Sequence, residues 1–163
     1  MGSTDTVLWQ YLSDDQRQLA QDGQVLIAER KQHDADSVSD YSYLVFPYAK
    51  LYEGFLKEVF LDIRLISDRE YRSDHFRIGK VLSPNLARRL GQRSAYTTLV
   101  KRYGTSLADE VWSVWKQGRN LVFHYFPHNI RRLTYADACA LINRILSVMG
   151  RVVHVTGVHN RKT

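Results

Sequence analysis

The stretch from Tyr41 to Ile66 constrains this fold more than any other. It carries Leu44, Val45, Tyr48, Leu51, Tyr52, Phe55, Leu56, Val59, Phe60 and Ile63. The spacing is helical, and its breadth marks a central helix buried on more than one side. Such a helix has to be surrounded by others, so the expected fold is all-α, a helical bundle. Pro47 is expected in the first turn of this helix or at a kink in it.

The flanking segments fit that plan. Thr6 to Ala20 carries Leu8, Tyr11, Leu12 and Leu19 on a helical period, and Gly23 is read as its interruption. Gln24 to Gln32 reads equally as a resumed helix or a short strand. Asp34 to Asp40 is a polar connector; its acids suggest a calcium loop, but the glycine and distal glutamate of such loops are absent. Ser67 to Arg93 is charged and basic, with a short helix expected after Ser83-Pro84. Tyr96 to Tyr103 forms another helix, ended by Gly104. Ser106 with Asp109 is read as a capping box for the next, and Thr134 with Asp137 for the last, which is expected to stop at Gly150. Cys139 lies beside the apolar stripe of that last helix, as a small buried thiol. The chain is therefore expected to be one domain: a core over about 41–149, an N-terminal helical extension over 1–40, and a basic tail over 151–163 holding one short strand or a disordered end.

Composition narrows the functional classes. With 163 residues, 44% hydrophobic and 12% aromatic, the chain can bury a proper core. Its net charge of +6 favours anionic partners, nucleic acid being the commonest. One cysteine excludes an internal disulfide and fits a reducing compartment. No N-terminal apolar leader and no run of transmembrane length are evident, so a cytoplasmic protein with no membrane partner is expected. P-loop and dinucleotide fingerprints are absent. His124 and His128 have metal-like spacing, but Pro127 separates them and no third ligand is evident, so no metal and no cofactor are expected.

Chemistry concentrates in Gly118-Arg119-Asn120-Leu121-Val122-Phe123-His124-Tyr125. A fixed cation, an orientable amide and a base titrating near neutrality suit phosphodiester cleavage without a metal. On a continuous helix at 100° per residue, Leu107, Val111, Val114, Trp115, Gly118, Leu121, Val122 and Tyr125 form the core stripe. Arg119 and His124 then straddle the opposite face, with Asn120, Lys116 and two large aromatics, Trp112 and Phe123, for company. Aromatics on a face that should meet water suggest a second packing surface, either within the chain or against a second copy. The alternative is structural: Arg119 paired with a carboxylate, and His124 capping the helix C-terminus.

Arg119-Asn120-Leu121-Val122-Phe123-His124 resembles the Arg-x4–6-His signature of the HEPN superfamily, all-α domains many of which are metal-independent ribonucleases of toxin–antitoxin, CRISPR and antiphage systems. Asn120 matches the polar residue those proteins commonly carry after the Arg. Tyr48 to Lys57 is similar to an early long helix of RNase LS-type toxins, some of which set a Glu beside the Arg and His. The resemblance carries that role to Glu53, with Glu58 as the other choice. It departs where some HEPN toxins have a tyrosine two residues after the His, since that place holds Phe126. The resemblance implies an endoribonuclease with Arg119, His124, Asn120 and Glu53 as site residues, working as a homodimer on RNA and held in check by an antitoxin. Arg88, Arg89 and Arg93, together with Lys116, are expected to steer the RNA backbone, and Trp112 and Phe123 to form the dimer contact. A non-catalytic helical module that binds nucleic acid or a protein stays open beside it.

Overall fold

The computed structural model describes residues 6–31 and 38–158. It is an all-α bundle, and among the described residues there is no strand. Nine α-helices follow one another among the described residues: α1 (Thr6–Tyr11), α2 (Asp14–Lys31), α3 (Ser42–Asp62), α4 (Asp68–Tyr71), α5 (Ile78–Leu82), α6 (Pro84–Leu90), α7 (Ala95–Tyr103), α8 (Thr105–Trp115) and α9 (Tyr135–Thr156). A π-helical segment, Lys116–Leu121, follows α8 directly.

α3 is the central element. α2 and α9 pack along it, and α1 and α8 pack on α9. Leu44, Val45, Leu51, Tyr52, Phe55, Leu56 and Val59 are wholly enclosed. The buried Tyr52 hydroxyl is satisfied by donating to the Val111 carbonyl of α8 at 3.0 Å, as a hydroxyl in an apolar core must be. Pro47 sits inside α3 rather than in its first turn. Its missing N–H leaves the Tyr43 carbonyl without the usual helical donor, and Tyr43 is exposed, where water can serve it.

Several local expectations need correction. The N-terminal break comes at Ser13, not Gly23. Ser13 Oγ accepts from the Gln16 N–H, and Gln16 Oε1 accepts from the Ser13 N–H, both at 3.3 Å. That reciprocal cap starts α2, which then runs straight through Gly23. This glycine is a contact residue: a Cβ there would lie 2.4 Å from the ring of buried Tyr48. The N-terminal helices contribute Leu8, Tyr11, Leu12 and Ala20 to the same core cluster as α3. Of the polar connector 34–40, residues 34–37 lie outside the described residues.

Ser106 and Asp109 do not form a capping box. α8 has Gly104 as its N-cap with no side-chain cap; Asp109 accepts from the Tyr96 hydroxyl, and Ser106 Oγ from Arg151. The Thr134/Asp137 box is present and starts α9. That helix continues through buried Gly150 to Thr156, so 151–156 is helix and not a strand or loose tail. Val152 and Val153 extend its buried stripe, and Gly157 at φ 67° closes it. α9 has 22 residues and an 18-residue window of mean hydropathy 1.4. By length and composition it could cross a membrane, contrary to the reading that no run is long enough. Here 44% of that window is buried in the bundle, against α3 and α8.

Gly23→Ala tests the α2–α3 contact. Alanine raises helix propensity by roughly 0.5–1 kcal/mol, but overpacking against a buried ring costs about 1–3 kcal/mol. The expected net result is a lower urea midpoint; a higher one would mean that α2 does not approach Tyr48 this closely.

Candidate functional site

The site is built on the one open stripe of α3. Burial of its other faces leaves Tyr43, Phe46, Lys50, Glu53 and Lys57 at helical spacing on a single side. Phe46 is 56% exposed. Opposite this stripe lies the π segment, which packs on α3, α8 and α9. Gly118 permits the approach to α9: a Cβ there would sit 3.0 Å from Ile145 Cδ1. Arg144 of α9 holds the same segment by donating to Gln117 Oε1 at 2.5 Å and Ser113 Oγ at 2.9 Å.

π-Helical turns are rare and recur at functional sites, and this one carries Arg119 and Asn120. Arg119 Nε donates to Glu53 Oε2 at 3.0 Å. Lys57 Nζ stands 3.9 Å from the other oxygen, so Glu53 lies between two cations. Among the described residues, the two terminal nitrogens of Arg119 make no hydrogen bond. Its guanidinium also lies over Phe123, 5.9 Å from the ring centroid, and Phe123 meets Phe46 edge to face at 5.7 Å. Phe46, Lys50, Glu53, Lys57, Arg119 and Phe123 line one groove of about 460 Å³.

The positions expected from the sequence thus divide. Glu53 and Arg119 are in contact. Asn120 and Lys116 are exposed and make no side-chain hydrogen bond among the described residues. His124 lies past the helical segment, exposed, its backbone N–H bonded to the Leu121 carbonyl; its imidazole has no partner among the described residues. The helical wheel that set Asn120, Phe123 and His124 beside Trp112 fails after Trp115, because the α period ends there. Trp112 and Phe123 are both half-buried against the core rather than a bare aromatic face. Glu58 is half-buried on α3, and the ion pair of Arg119 is made with Glu53. Arg88, Arg89 and Arg93 are exposed on and just after α6, which packs on α5 and α7. Arg88 shares a separate groove with Lys101. No three His, Cys, Asp or Glu side chains converge on a metal-sized site among the described residues.

Sequence reasoning missed Phe46, Lys57 and Asp40. The first two were signalled by their i, i+3/i+4 spacing from Lys50 and Glu53. Asp40 holds the loop that follows the motif: its carboxylate accepts from the Ser42 N–H and hydroxyl, the Asn129 amide at 3.1 Å and the Leu133 N–H at 3.2 Å. That loop includes His128 and Asn129 at φ 57° and 50°, a left-handed pair that needs outside support. No family model matches the chain, and no curated protein or solved structure matches it either.

Burial pushes the Asp40 carboxyl up, but the hydrogen bonds from Ser42, Asn129 and Leu133 together outweigh it and hold the group below its ordinary value of 3.8. A depressed folded value means stability that is present above the unfolded value and lost as pH falls through the folded one. The unfolding free energy of wild type minus that of Asp40→Asn is therefore expected to be constant from pH 7 to about 5 and to shrink below about 4. A difference that stays flat down to pH 2.5 in urea titrations would remove Asp40 from the loop's support.

Proposed function

We propose that this chain is a metal-independent endoribonuclease of the HEPN type, a cytoplasmic toxin or defence effector restrained by an antitoxin protein. The observation that carries the reading is the Glu53–Arg119 pair on the wall of an open groove. Glu53 engages Nε alone, which leaves both terminal nitrogens of the guanidinium for the two non-bridging oxygens of a phosphodiester. The pairing also restricts a side chain that would otherwise sample many rotamers, so less order has to be imposed when RNA binds.

In this scheme His124 takes the proton from a ribose 2′-hydroxyl. The 2′-oxygen bonds to phosphorus, the bond from phosphorus to O5′ breaks, and a 2′,3′-cyclic phosphate forms. Arg119 stabilises the charge developing on the phosphoryl oxygens, and Asn120 orients the phosphate. The departing O5′ is protonated by the imidazolium of a second copy's His124, since one imidazole cannot take and give a proton in the same step. A two-fold dimer supplies that second group. The exposed Phe46 edge beside Phe123 supports the choice of this face for the contact. One observation favours a non-catalytic binding module instead: nothing within the described chain sets the His124 tautomer or ring direction.

Purified protein is expected to cut RNA in EDTA and to leave a cyclic phosphate and a 5′-hydroxyl. His124→Ala and Arg119→Ala should each lower the rate about 10²-fold or more with the helical circular dichroism unchanged. A folded His124→Ala protein with full activity would sink the assignment.

Assembly has its own test. Phe46→Glu and Phe123→Glu should shift light scattering from dimer to monomer, because a carboxylate buried in an apolar contact is costly, and should lower cleavage in parallel. A monomeric wild type that cleaves RNA would refute the composite site.

A further inference from the structure

A second groove, of about 470 Å³, lies between the π segment and the first half of α9. Its charge is unusual. Arg131, Arg132 and Arg144 all line it, and none of them is ion-paired among the described residues. Arg144 donates only to the neutral acceptors Gln117 and Ser113, so its full charge persists. Arg131 is stacked on the Phe126 ring, 4.1 Å from its centroid, which fixes the plane of its guanidinium. The one carboxylate at the rim among the described residues, Asp137, is engaged by the N–H and hydroxyl of Thr134. Three like charges against one opposed charge repel one another, and an anion relieves that repulsion.

The floor is of another kind. Leu121, Val122 and Leu141 present apolar surface to the same space, beside cations suited to bidentate recognition of phosphate. Bare phosphate would leave that floor wet. A flat apolar ring joined to a phosphate uses both halves, and the volume falls in the range of small-ligand sites. We propose that this groove binds a nucleoside phosphate, the phosphate held by Arg131, Arg132 and Arg144 and the base laid over Leu121, Val122 and Leu141. None of Glu53, Arg119 or His124 lines it, so the site stands independently of the cleavage reading. The same chemistry can come from a free mononucleotide or from one residue of an RNA strand.

Calorimetric titration separates these outcomes without turnover. The full chain is titrated in EDTA with adenosine 5′-monophosphate, inorganic phosphate, and a six-residue 2′-O-methyl oligonucleotide that cannot be cleaved. The Arg131→Gln/Arg132→Gln variant changes two exposed side chains that tie no helices together, and Lys31→Gln/Lys101→Gln, at two exposed lysines of α2 and α7, controls for net charge. The double variant in the groove is expected to bind nucleotide about tenfold or more weakly, and the lysine control within about twofold of wild type. Binding of the monophosphate assigns the free nucleotide; binding of the oligonucleotide alone assigns a strand residue. The proposal is overturned if inorganic phosphate binds as well as the monophosphate, if neither nucleotide binds, or if Arg131→Gln/Arg132→Gln matches wild type.

Discussion

Enclosure of α3 governs everything else in this protein. α2 lies against it closely enough that Gly23 can bear no side chain beside Tyr48, and α9 covers another side. Apolar burial on that scale is the main favourable term in folding, and it leaves α3 a single stripe on which polar side chains can stand. Glu53 and Lys57 stand on that stripe, where a charge keeps contact with water. The π segment meets the stripe from α8, and the ion pair between Glu53 and Arg119 forms where they meet. A partly exposed pair like this adds little to stability; its value lies in orienting a guanidinium.

The two arginine forks of α9 make a second layer of organisation. Arg144 reaches Ser113 and Gln117, and about two turns further along Arg151 reaches Ser106 and Glu110. Together they hold α8 and the start of the π segment in register with α9. Gly118 then closes the distance between backbones at Ile145. The motif is thus fixed from below by packing and from the side by planar donors, while its outer face remains open to solvent.

Much of this was legible in the sequence, and for physical reasons. The α3 stripe, the Thr134/Asp137 box, Pro84 at a helix start and Gly104 at a helix end are local signals with local causes. Glu53 came from family resemblance, and its contact with Arg119 joins residues 66 apart in sequence, which no local signal encodes. Gly23 and Gly150 misled because glycine is read as a breaker, whereas here it admits a neighbouring ring or completes a buried stripe. Ser13 with Gln16 was a readable cap that the stronger glycine signal masked. The π segment was invisible to any wheel drawn at 100° per residue, so the faces assigned beyond Trp115 could not hold.

That π segment has a consequence for how the motif tolerates change in chain length. A π turn accommodates one residue more than an α turn over the same axial distance. Losing a single residue between Lys116 and Leu121 lets the backbone relax into ordinary α hydrogen bonding, with no loop shortened and no core residue removed. The chain after it, His124 included, then keeps its place about the helix axis, and the change falls on the segment itself, where Arg119 and Asn120 stand. Substitution at these six positions leaves the wide turn in place, whereas deletion of one of them removes it: the fold and the following loop stay in register, and only the side chains of the segment are redistributed against the stripe of α3.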